Sequence, residues 1–208
     1  MFRPGSDDIT PHARGAVDPG ETDLLAKAQR GNLFAFEEIV RRYQRRVYGT
    51  ALRIVRRHDV ADDVVQDAFL RAYQALERFD RQRPFGPWIC RIAANLAVNH
   101  VRSPESREEA LPESLAEAPA PDQGPLGGVL ESEGREVLDR AMDRLSPEQR
   151  AVFVLRVFEE LSYQEIAEAL GISPGTVMSR LSRARERLRE ALTPYLGMAM
   201  RRAGGGPA

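Results

Sequence analysis

The chain has 208 residues, of which 42% are hydrophobic and 29% charged, and its formal net charge at pH 7 is −1. The hydrophobic fraction permits a buried core and argues against a wholly disordered protein. The length fits one ordinary domain or two small ones. The single cysteine, Cys90, excludes an intrachain disulfide and a cysteine-based metal cluster.

The near-zero net charge is the sum of opposed segments. Residues 21–102 carry 15 basic and 10 acidic side chains, whereas residues 103–134 carry one arginine and eight acids. Residues 172–190 contain five arginines and two glutamates. Such segregation is compatible with nucleic-acid binding through the locally basic segments, although the net charge of the whole chain is near zero. No apolar run approaches the ~20 residues of a membrane span and no signal peptide is visible, so we expect a cytoplasmic protein without membrane insertion.

Apolar residues recur at helical spacing and no alternating strand pattern is present, which predicts an all-α fold. Residues 1–20 are predicted to be a disordered extension. A first helical block over 21–102 should contain helices at 21–30, 33–57, 60–79 and 88–102. Asp59 is the expected N-cap of the third, and Pro84 and Pro87 place a loop at 80–87. The buried stripe of the third helix is predicted as Val64, Val65, Ala68, Phe69, Ala72, Tyr73 and Leu76.

Residues 103–134 are rich in proline, glycine, alanine and glutamate and predict an acidic, extended linker. A disordered loop without a function is the alternative. A second block over 135–195 should hold four helices, one through 135–144 and three that begin after the N-cap residues Ser146, Ser162 and Ser173. Residues 196–208 are expected to be a flexible tail.

The sequence QEIAEALGISPGTVMSRL at 164–181 has the spacing of a helix-turn-helix. Ala167 allows close helix crossing, Gly171 ends the first helix, and Val177 anchors the second. Thr176, Met178, Ser179, Arg180 and Arg183 are left facing outward, toward a DNA major groove if DNA is bound. The alternative is a helical bundle with a solvated arginine face.

Three aromatic residues, Phe79, Phe85 and Trp88, flank the proline-rich loop beside several arginines. This setting suits stacking on, or capture of, an unpaired base. A local hydrophobic cluster that pins the loop explains the same residues equally well.

Two stretches carry a resemblance to a known family. DVADDVVQDAFLRAYQALERFD followed by RPFGPWICRIAANLAVNHVR resembles the promoter-melting and core-binding domain of bacterial sigma factors. LSPEQRAVFVLRVFEELSYQEIAEALGISPGTVMSRLSRARERLREAL resembles their domain that binds the upstream element. The order of the two over residues 21–195 is similar to the compact extracytoplasmic-function (ECF) group. The resemblance implies a sigma domain 2 at 21–102 and a sigma domain 4 at 135–195.

The resemblance also implies partners and site residues. The clamp helices of the largest subunit of RNA polymerase would bind Asp62, Asp63, Gln66, Asp67 and Arg71. Melted minus-ten DNA would contact Phe79, Asp80, Arg83, Phe85, Trp88, Asn95, Asn99 and Arg102, with Asn95 beside a flipped base. Minus-thirty-five duplex DNA would contact Arg156, Tyr163, Gln164, Thr176, Met178, Ser179, Arg180 and Arg183. Met178 departs from the family, which usually has a basic residue there.

The family resemblance further implies two more partners, an anti-sigma factor and the polymerase subunit that flanks the RNA exit channel. It also implies a linker that lies in that channel. The acidity of residues 103–134 would suit a basic groove built for RNA. We expect no catalytic activity and no metal or cofactor, because His12, His58 and His100 are scattered without ligand spacing. The rival interpretations are a stand-alone helix-turn-helix transcription regulator and a nucleic-acid enzyme.

Overall fold

The computed structural model describes residues 19–103 and 137–203, and within these ranges the regular structure is helical. The N-terminal helical unit, residues 19–103, contains four α-helices. The C-terminal helical unit, residues 137–203, contains four more. The all-α prediction is confirmed. Residues 1–18 of the predicted disordered extension at 1–20 lie outside the described residues, as does nearly all of the predicted linker at 103–134. The prediction is wrong for Pro19 and Gly20, which begin a helix. No helix within the described ranges is long and apolar enough to cross a membrane.

The helices are numbered here in chain order. In the N-terminal helical unit they are α1 (Pro19–Gln29), α2 (Leu33–Val55), α3 (His58–Ala75) and α4 (Phe85–Arg102), with a short 3₁₀ helix at Leu76–Arg78. In the C-terminal helical unit they are α5 (137–142), α6 (Pro147–Val157), α7 (Tyr163–Leu170) and α8 (Pro174–Ala203). Helix α8 therefore continues beyond residue 195, where the sequence predicts the domain to end.

Helix α2 is the centre of the N-terminal helical unit and packs against α1, α3 and α4. It begins where the Asn32 side chain accepts a hydrogen bond from the Ala35 backbone N–H at 3.0 Å. It ends at Arg56, whose left-handed backbone (φ 62°) closes the last turn. Ile39, Val47 and Ile54 are almost fully buried along its inner face. The long amphipathic pattern therefore places α2 as the packing surface for its neighbours.

Two predicted features of α3 are wrong. The helix begins at His58 with Arg57 at the N-cap, so Asp59 is not the cap but lies in the first turn. There its carboxylate pairs with the Arg57 guanidinium, and a carboxylate near a helix N-terminus is favourable. Tyr73 is 38% exposed and not part of the buried stripe, because its ring lies edge-on to Phe36 at 4.9 Å near the surface.

The predicted loop at 80–87 is too long, because α4 begins at Phe85 and not at 88. Pro84 has the extended backbone of an N-cap, and Pro87 falls in the first turn, where no backbone N–H is needed for the helix. The Phe85 N–H is satisfied by the carboxylate of Glu21, which accepts at 3.1 Å from α1. A residue 64 positions away thus fixes the start of this helix.

The three predicted serine N-caps of the C-terminal helical unit are confirmed. Ser146 with Gln149, and Ser162 with Glu165, form complete capping boxes. The Ser173 hydroxyl accepts from the Thr176 N–H at 3.1 Å. These local hydrogen bonds set the starts of α6, α7 and α8.

The two helical units pack directly on each other. Helix α6 lies against α2 and α4, and α7 also lies against α4. The buried residues of both units form one continuous apolar core. Helix α4 therefore contacts α2 and α3 of its own unit and also α6 and α7 of the C-terminal helical unit.

Candidate nucleic-acid interface

The predicted helix-turn-helix is present as α7, a turn and α8. Gly171 has the left-handed backbone (φ 62°) that ends α7, and its N–H bonds to the Ala167 carbonyl. Val177, Leu181 and Ala184 are buried on the inner face of α8. The burial of this apolar stripe fixes which face of α8 remains at the surface.

The outward face of α8 carries the predicted DNA-contacting side chains. Met178 is 53% exposed, Ser179 and Arg183 are exposed, and Thr176 and Arg180 are half-buried. The Thr176 hydroxyl lies 2.9 Å from that of Ser173, and the Ser179 hydroxyl donates to the Thr176 carbonyl at 3.1 Å. The two hydroxyls therefore have internal partners, while Arg183 extends from a well-packed helix into solvent.

Three further predicted residues lie at the end of α6 and in the first turn of α7. Arg156 donates to the Leu161 carbonyl at 2.9 Å, and its guanidinium lies 5.3 Å from the centre of the Tyr163 ring. Gln164 is exposed and donates to Glu168 at 3.2 Å. Arg156 is thus held in place by the loop before α7, and Gln164 is displayed on the first exposed turn of that helix.

The aromatic residues near the start of α4 form a compact cluster. Phe79 and Phe85 are buried, with ring centres 5.6 Å apart, and Trp88 lies 4.6 Å from Phe79 and 5.3 Å from Phe85. Tyr43 covers Phe85 from α2 at 5.2 Å. Buried rings packed edge to face leave no open face for a base. The structure thus favours a local hydrophobic cluster for Phe79 and Phe85, whereas Trp88 is half-buried.

The polar residues predicted for the minus-ten element are at the surface. Asp80 and Arg83 are exposed and form a loose pair at 3.7 Å. Asn99 donates to Asn95 at 3.2 Å, one turn apart on the exposed side of α4. Arg102 is 46% exposed and pairs with Glu148 of α6 at 3.2 Å. Asn95 and Asn99 together present a patch of amide donors and acceptors that suits a base edge.

A third surface lies on α3. Its predicted polymerase-binding residues, Asp62, Asp63, Gln66, Asp67 and Arg71, are all exposed. Sequence reasoning missed Leu70, which is 57% exposed and follows Gln66 by one helical turn. An apolar residue outside the predicted buried stripe of α3 is the signal that could have found it. The face is thus acidic at its N-terminal end and partly apolar further along.

Comparison with known proteins assigns the chain to a family. The model for Sigma-70 region 2 matches residues 39–108, and that for Sigma-70 region 4 matches residues 135–188. The RNA polymerase sigma-H factor of Pseudomonas aeruginosa is 35% identical over 184 residues, which cover 85% of this chain and 95% of that protein. The chain belongs to the ECF sigma factors. The ECF RNA polymerase sigma-E factor of Escherichia coli K12 is also 35% identical, over 83% of this sigma factor and 94% of its own length.

Solved structures agree with the fold of this sigma factor. The sigma factor RpoE of Bartonella quintana, crystallised with the anti-sigma factor NepR, aligns with a TM-score of 0.57 and 27% identity. That alignment covers 76% of this chain and 96% of RpoE. CnrH, in complex with the cytosolic domain of CnrY, aligns with a TM-score of 0.56 and 28% identity over 84% of this chain and 98% of CnrH.

One further feature of this sigma factor could not be found from spacing alone. Arg46 of α2 and Arg91 of α4 bind Glu159 and Glu165 of the C-terminal helical unit at 2.7 Å and 2.9 Å. Neither arginine stands out in the sequence, where basic residues are frequent in 21–102. Their partners become visible only once the two units are placed together.

Proposed function

We propose that this sigma factor directs RNA polymerase to promoters, and that each of its three exposed surfaces performs a separate step. The face of α3 binds the polymerase clamp helices. The exposed side of α4, with Asn95 and Asn99, reads the melted minus-ten strand, and the outward face of α8 binds the minus-thirty-five duplex. The observation that carries the proposal is a helix-turn-helix with an exposed arginine face, joined in one chain to a unit with an exposed amide pair.

The chemistry of the two DNA surfaces differs as the proposal requires. Arg183 presents a guanidinium suited to phosphate or to a guanine edge in a duplex. Asn95 offers an amide that can donate to and accept from the edge of an unpaired base. Exposed Met178 can replace a basic contact by apolar contact with a thymine methyl group. The sequence preference at the minus-thirty-five element would then differ from that of relatives with a basic residue there.

The proposal includes an anti-sigma factor and a cytoplasmic site of action, and it assigns this chain no catalytic step. Its support is that RpoE and CnrH, two solved structures similar to this chain, were determined as complexes with NepR and with the cytosolic domain of CnrY. A partner that held the sigma factor would have to cover the α3, α4 or α8 surfaces.

The test is run-off transcription with purified core polymerase on genomic promoters, with and without this protein. Arg183→Ala should weaken recruitment, measured as closed-complex binding, by about 5- to 150-fold, the loss expected for one contact worth ~1–3 kcal/mol. Asn95→Ala should impair strand opening, measured by permanganate reactivity, more than closed binding. Arg45→Ala removes an exposed arginine of α2 and serves as the control. Equal effects of the first two variants on both steps would contradict the division of labour.

A stand-alone regulator is the competing interpretation of the helix-turn-helix. It requires tight and specific duplex binding by the purified chain alone. Electrophoretic mobility shifts with and without core polymerase separate the two functions. A promoter complex that forms equally well without polymerase would overturn the sigma-factor function.

A further inference from the structure

Helix α1 binds both ends of the loop that carries two of the predicted minus-ten residues. The loop, residues 80–84, begins after Phe79 and ends where α4 begins at Phe85. The side-chain amide of Gln29 donates to the Phe79 carbonyl at 2.9 Å, and the carboxylate of Glu21 accepts from the Phe85 N–H at 3.1 Å. Each end of α1 therefore contributes one side chain that is bonded to one end of the loop.

Gln29 makes two hydrogen bonds to the segment before the loop. Its side-chain nitrogen donates to the carbonyls of Leu76 and Phe79, both at 2.9 Å. The Leu76 carbonyl also accepts from the Phe79 N–H at 3.0 Å, as an oxygen with two lone pairs can. The half-buried amide of Gln29 thus ties the short 3₁₀ helix, and the residue that follows it, to α1.

Glu21 has a partner for each carboxylate oxygen. Oε1 accepts from the Phe85 N–H, and Oε2 accepts from the Tyr43 hydroxyl at 2.5 Å. The Tyr43 ring in turn packs against the Phe85 ring, with 5.2 Å between their centres. Tyr43 of α2 therefore holds the Glu21 carboxylate where it can accept from the first N–H of α4, a group that has no partner within its own helix.

These hydrogen bonds act on the two peptide groups that join the loop to the rest of the chain. The Phe79 carbonyl belongs to the planar peptide group between residues 79 and 80, and the Phe85 N–H to that between residues 84 and 85. Burial of the two phenylalanine rings fixes where the side chains lie, but a ring can stay packed while the adjacent peptide group rotates. The bonds from α1 remove that freedom and set the direction in which the loop leaves and rejoins the helices.

Hydrogen bonds within the loop make its conformation depend on its two ends. The Arg83 N–H donates to the Asp80 carbonyl, and the Gln82 N–H donates to the Asp80 carboxylate, both at 3.0 Å. The side chains of Asp80 and Arg83 are exposed. Because the turn is bonded to itself, rotation of either end would displace both side chains, which are predicted to contact the minus-ten strand.

We infer that Glu21 and Gln29 are positioning residues for minus-ten recognition, which hold loop 80–84 in the orientation in which Asp80 and Arg83 meet the melted strand. The inference rests on the proposed function for its effect on transcription, whereas the restraint on the loop is a property of the free chain. Binding groups have to be held within a fraction of an ångström of their productive geometry by supporting bonds of this kind. Helix α1 thus acts in strand opening through the loop and need not touch DNA.

Hydrogen–deuterium exchange of the free, full-length protein tests the restraint. Gln29→Met keeps the length and the helix propensity of the side chain but removes the donor. Gln29→Lys keeps a donor for the two carbonyls, and its charge suits the C-terminal end of a helix. The matched control is Gln44→Met, at an exposed glutamine of α2. The amides of Gln82 and Arg83 should exchange about 5- to 30-fold faster in Gln29→Met than in wild type, and at the wild-type rate in Gln29→Lys and in the control.

The same measurement tests Glu21. Glu21→Met removes both acceptor oxygens and should accelerate exchange of the Phe85 amide by a similar factor. Glu21→Gln keeps one acceptor for the Phe85 N–H and offers an N–H to the Tyr43 oxygen, so it should exchange like wild type. Circular dichroism should show the same helix content in all variants. Tyr43→Phe, which removes only the hydroxyl that orients Glu21, replaces a variant that loses helix content and should also accelerate exchange at Phe85.

Unchanged exchange at loop 80–84 and Phe85 in both methionine variants would overturn the inference. It would be overturned equally if Gln29→Lys and Glu21→Gln failed to restore the slow exchange of wild type. A residue that contributes only to overall stability would accelerate exchange throughout the N-terminal helical unit. The positioning role requires that the acceleration stay confined to the loop and the first turn of α4.

Transcription separates this inference from the proposed function. At saturating sigma factor, both methionine variants should slow strand opening, measured by permanganate reactivity, by about fivefold, the effect of one lost hydrogen bond. Core binding and closed-complex binding should stay at the wild-type level, and Gln29→Lys and Glu21→Gln should open like wild type. If wild type supports no initiation, the proposed function fails, while the exchange result still decides whether α1 restrains the loop. If wild type is active and both methionine variants open at its rate, the inference fails and the proposed function stands.

Discussion

Replacement of Gly171 isolates the backbone requirement of the helix-turn-helix. Its φ of 62° lies in the left-handed region, and a Cβ added there would meet nothing within 4 Å. The cost of Gly171→Ala is therefore conformational, about 1–2 kcal/mol. A gain of ~0.4–1 kcal/mol from the less flexible unfolded chain offsets part of it. We expect a net loss near 1 kcal/mol, and a smaller one for Gly171→Asn, because asparagine tolerates this conformation.

Urea denaturation followed by circular dichroism measures this loss as a lower midpoint at constant slope. Gly86→Ala is the contrasting variant, because a Cβ there would lie 2.6 Å from Arg46 Nη1 and 3.0 Å from Tyr43 Cε1. It should act by steric displacement of Arg46, so Gly86→Ser should be no better tolerated than Gly86→Ala. If Gly171→Asn were as destabilising as Gly171→Ala, the backbone explanation would be refuted.

Two further predictions concern the aromatic cluster and the interface. Phe85→Ala should lower stability by about 3–5 kcal/mol and red-shift the fluorescence emission of Trp88, the only tryptophan. The control Phe34→Ala, at an 83% exposed site, should change stability by less than about 0.5 kcal/mol. Unchanged emission in Phe85→Ala would contradict the aromatic cluster. Burial alone would raise the pKa of Glu148, but hydrogen bonds from its own N–H, Ser146 and Arg102 outweigh it and lower that pKa. The contribution of Glu148 to the free energy of unfolding is therefore full above the unfolded pKa near 4.5 and is lost as the pH falls through the folded pKa. Wild type should therefore lose more stability than Glu148→Gln in acid, and parallel pH profiles would count against this role.

The fold could be predicted wherever local chemistry decides it. Ser146, Ser162 and Ser173 mark helix starts because each hydroxyl accepts a backbone N–H within the next three residues. The start of α4 could not be predicted, because the N–H of Phe85 is satisfied by Glu21 of another helix. The residue type of Asp59 suits an N-cap, yet the Arg57 guanidinium binds its carboxylate in the first turn of the helix.

The candidate sites likewise contain some features that local sequence predicts and others that depend on residues far away in the chain. The outward face of α8 follows from helical spacing around Val177 and Leu181, so its exposed residues could be predicted. The burial of Phe79 and Phe85 depends on Tyr43 from α2, which covers Phe85, and on Phe79 packing against Trp88. The pairing of Arg46 with Glu159 joins positions 113 residues apart. No local pattern contains that information, because it arises only when the two units meet.

The interface also pairs opposite charges within a chain whose net charge is near zero. Carboxylates of the C-terminal helical unit neutralise arginines of the N-terminal helical unit across a contact where Glu159 is 3% exposed and Arg56 10% exposed. Each such pair cancels a positive group within a few ångströms. The electrostatic attraction for DNA therefore depends on where the charged groups lie in the folded chain and not on the net charge alone.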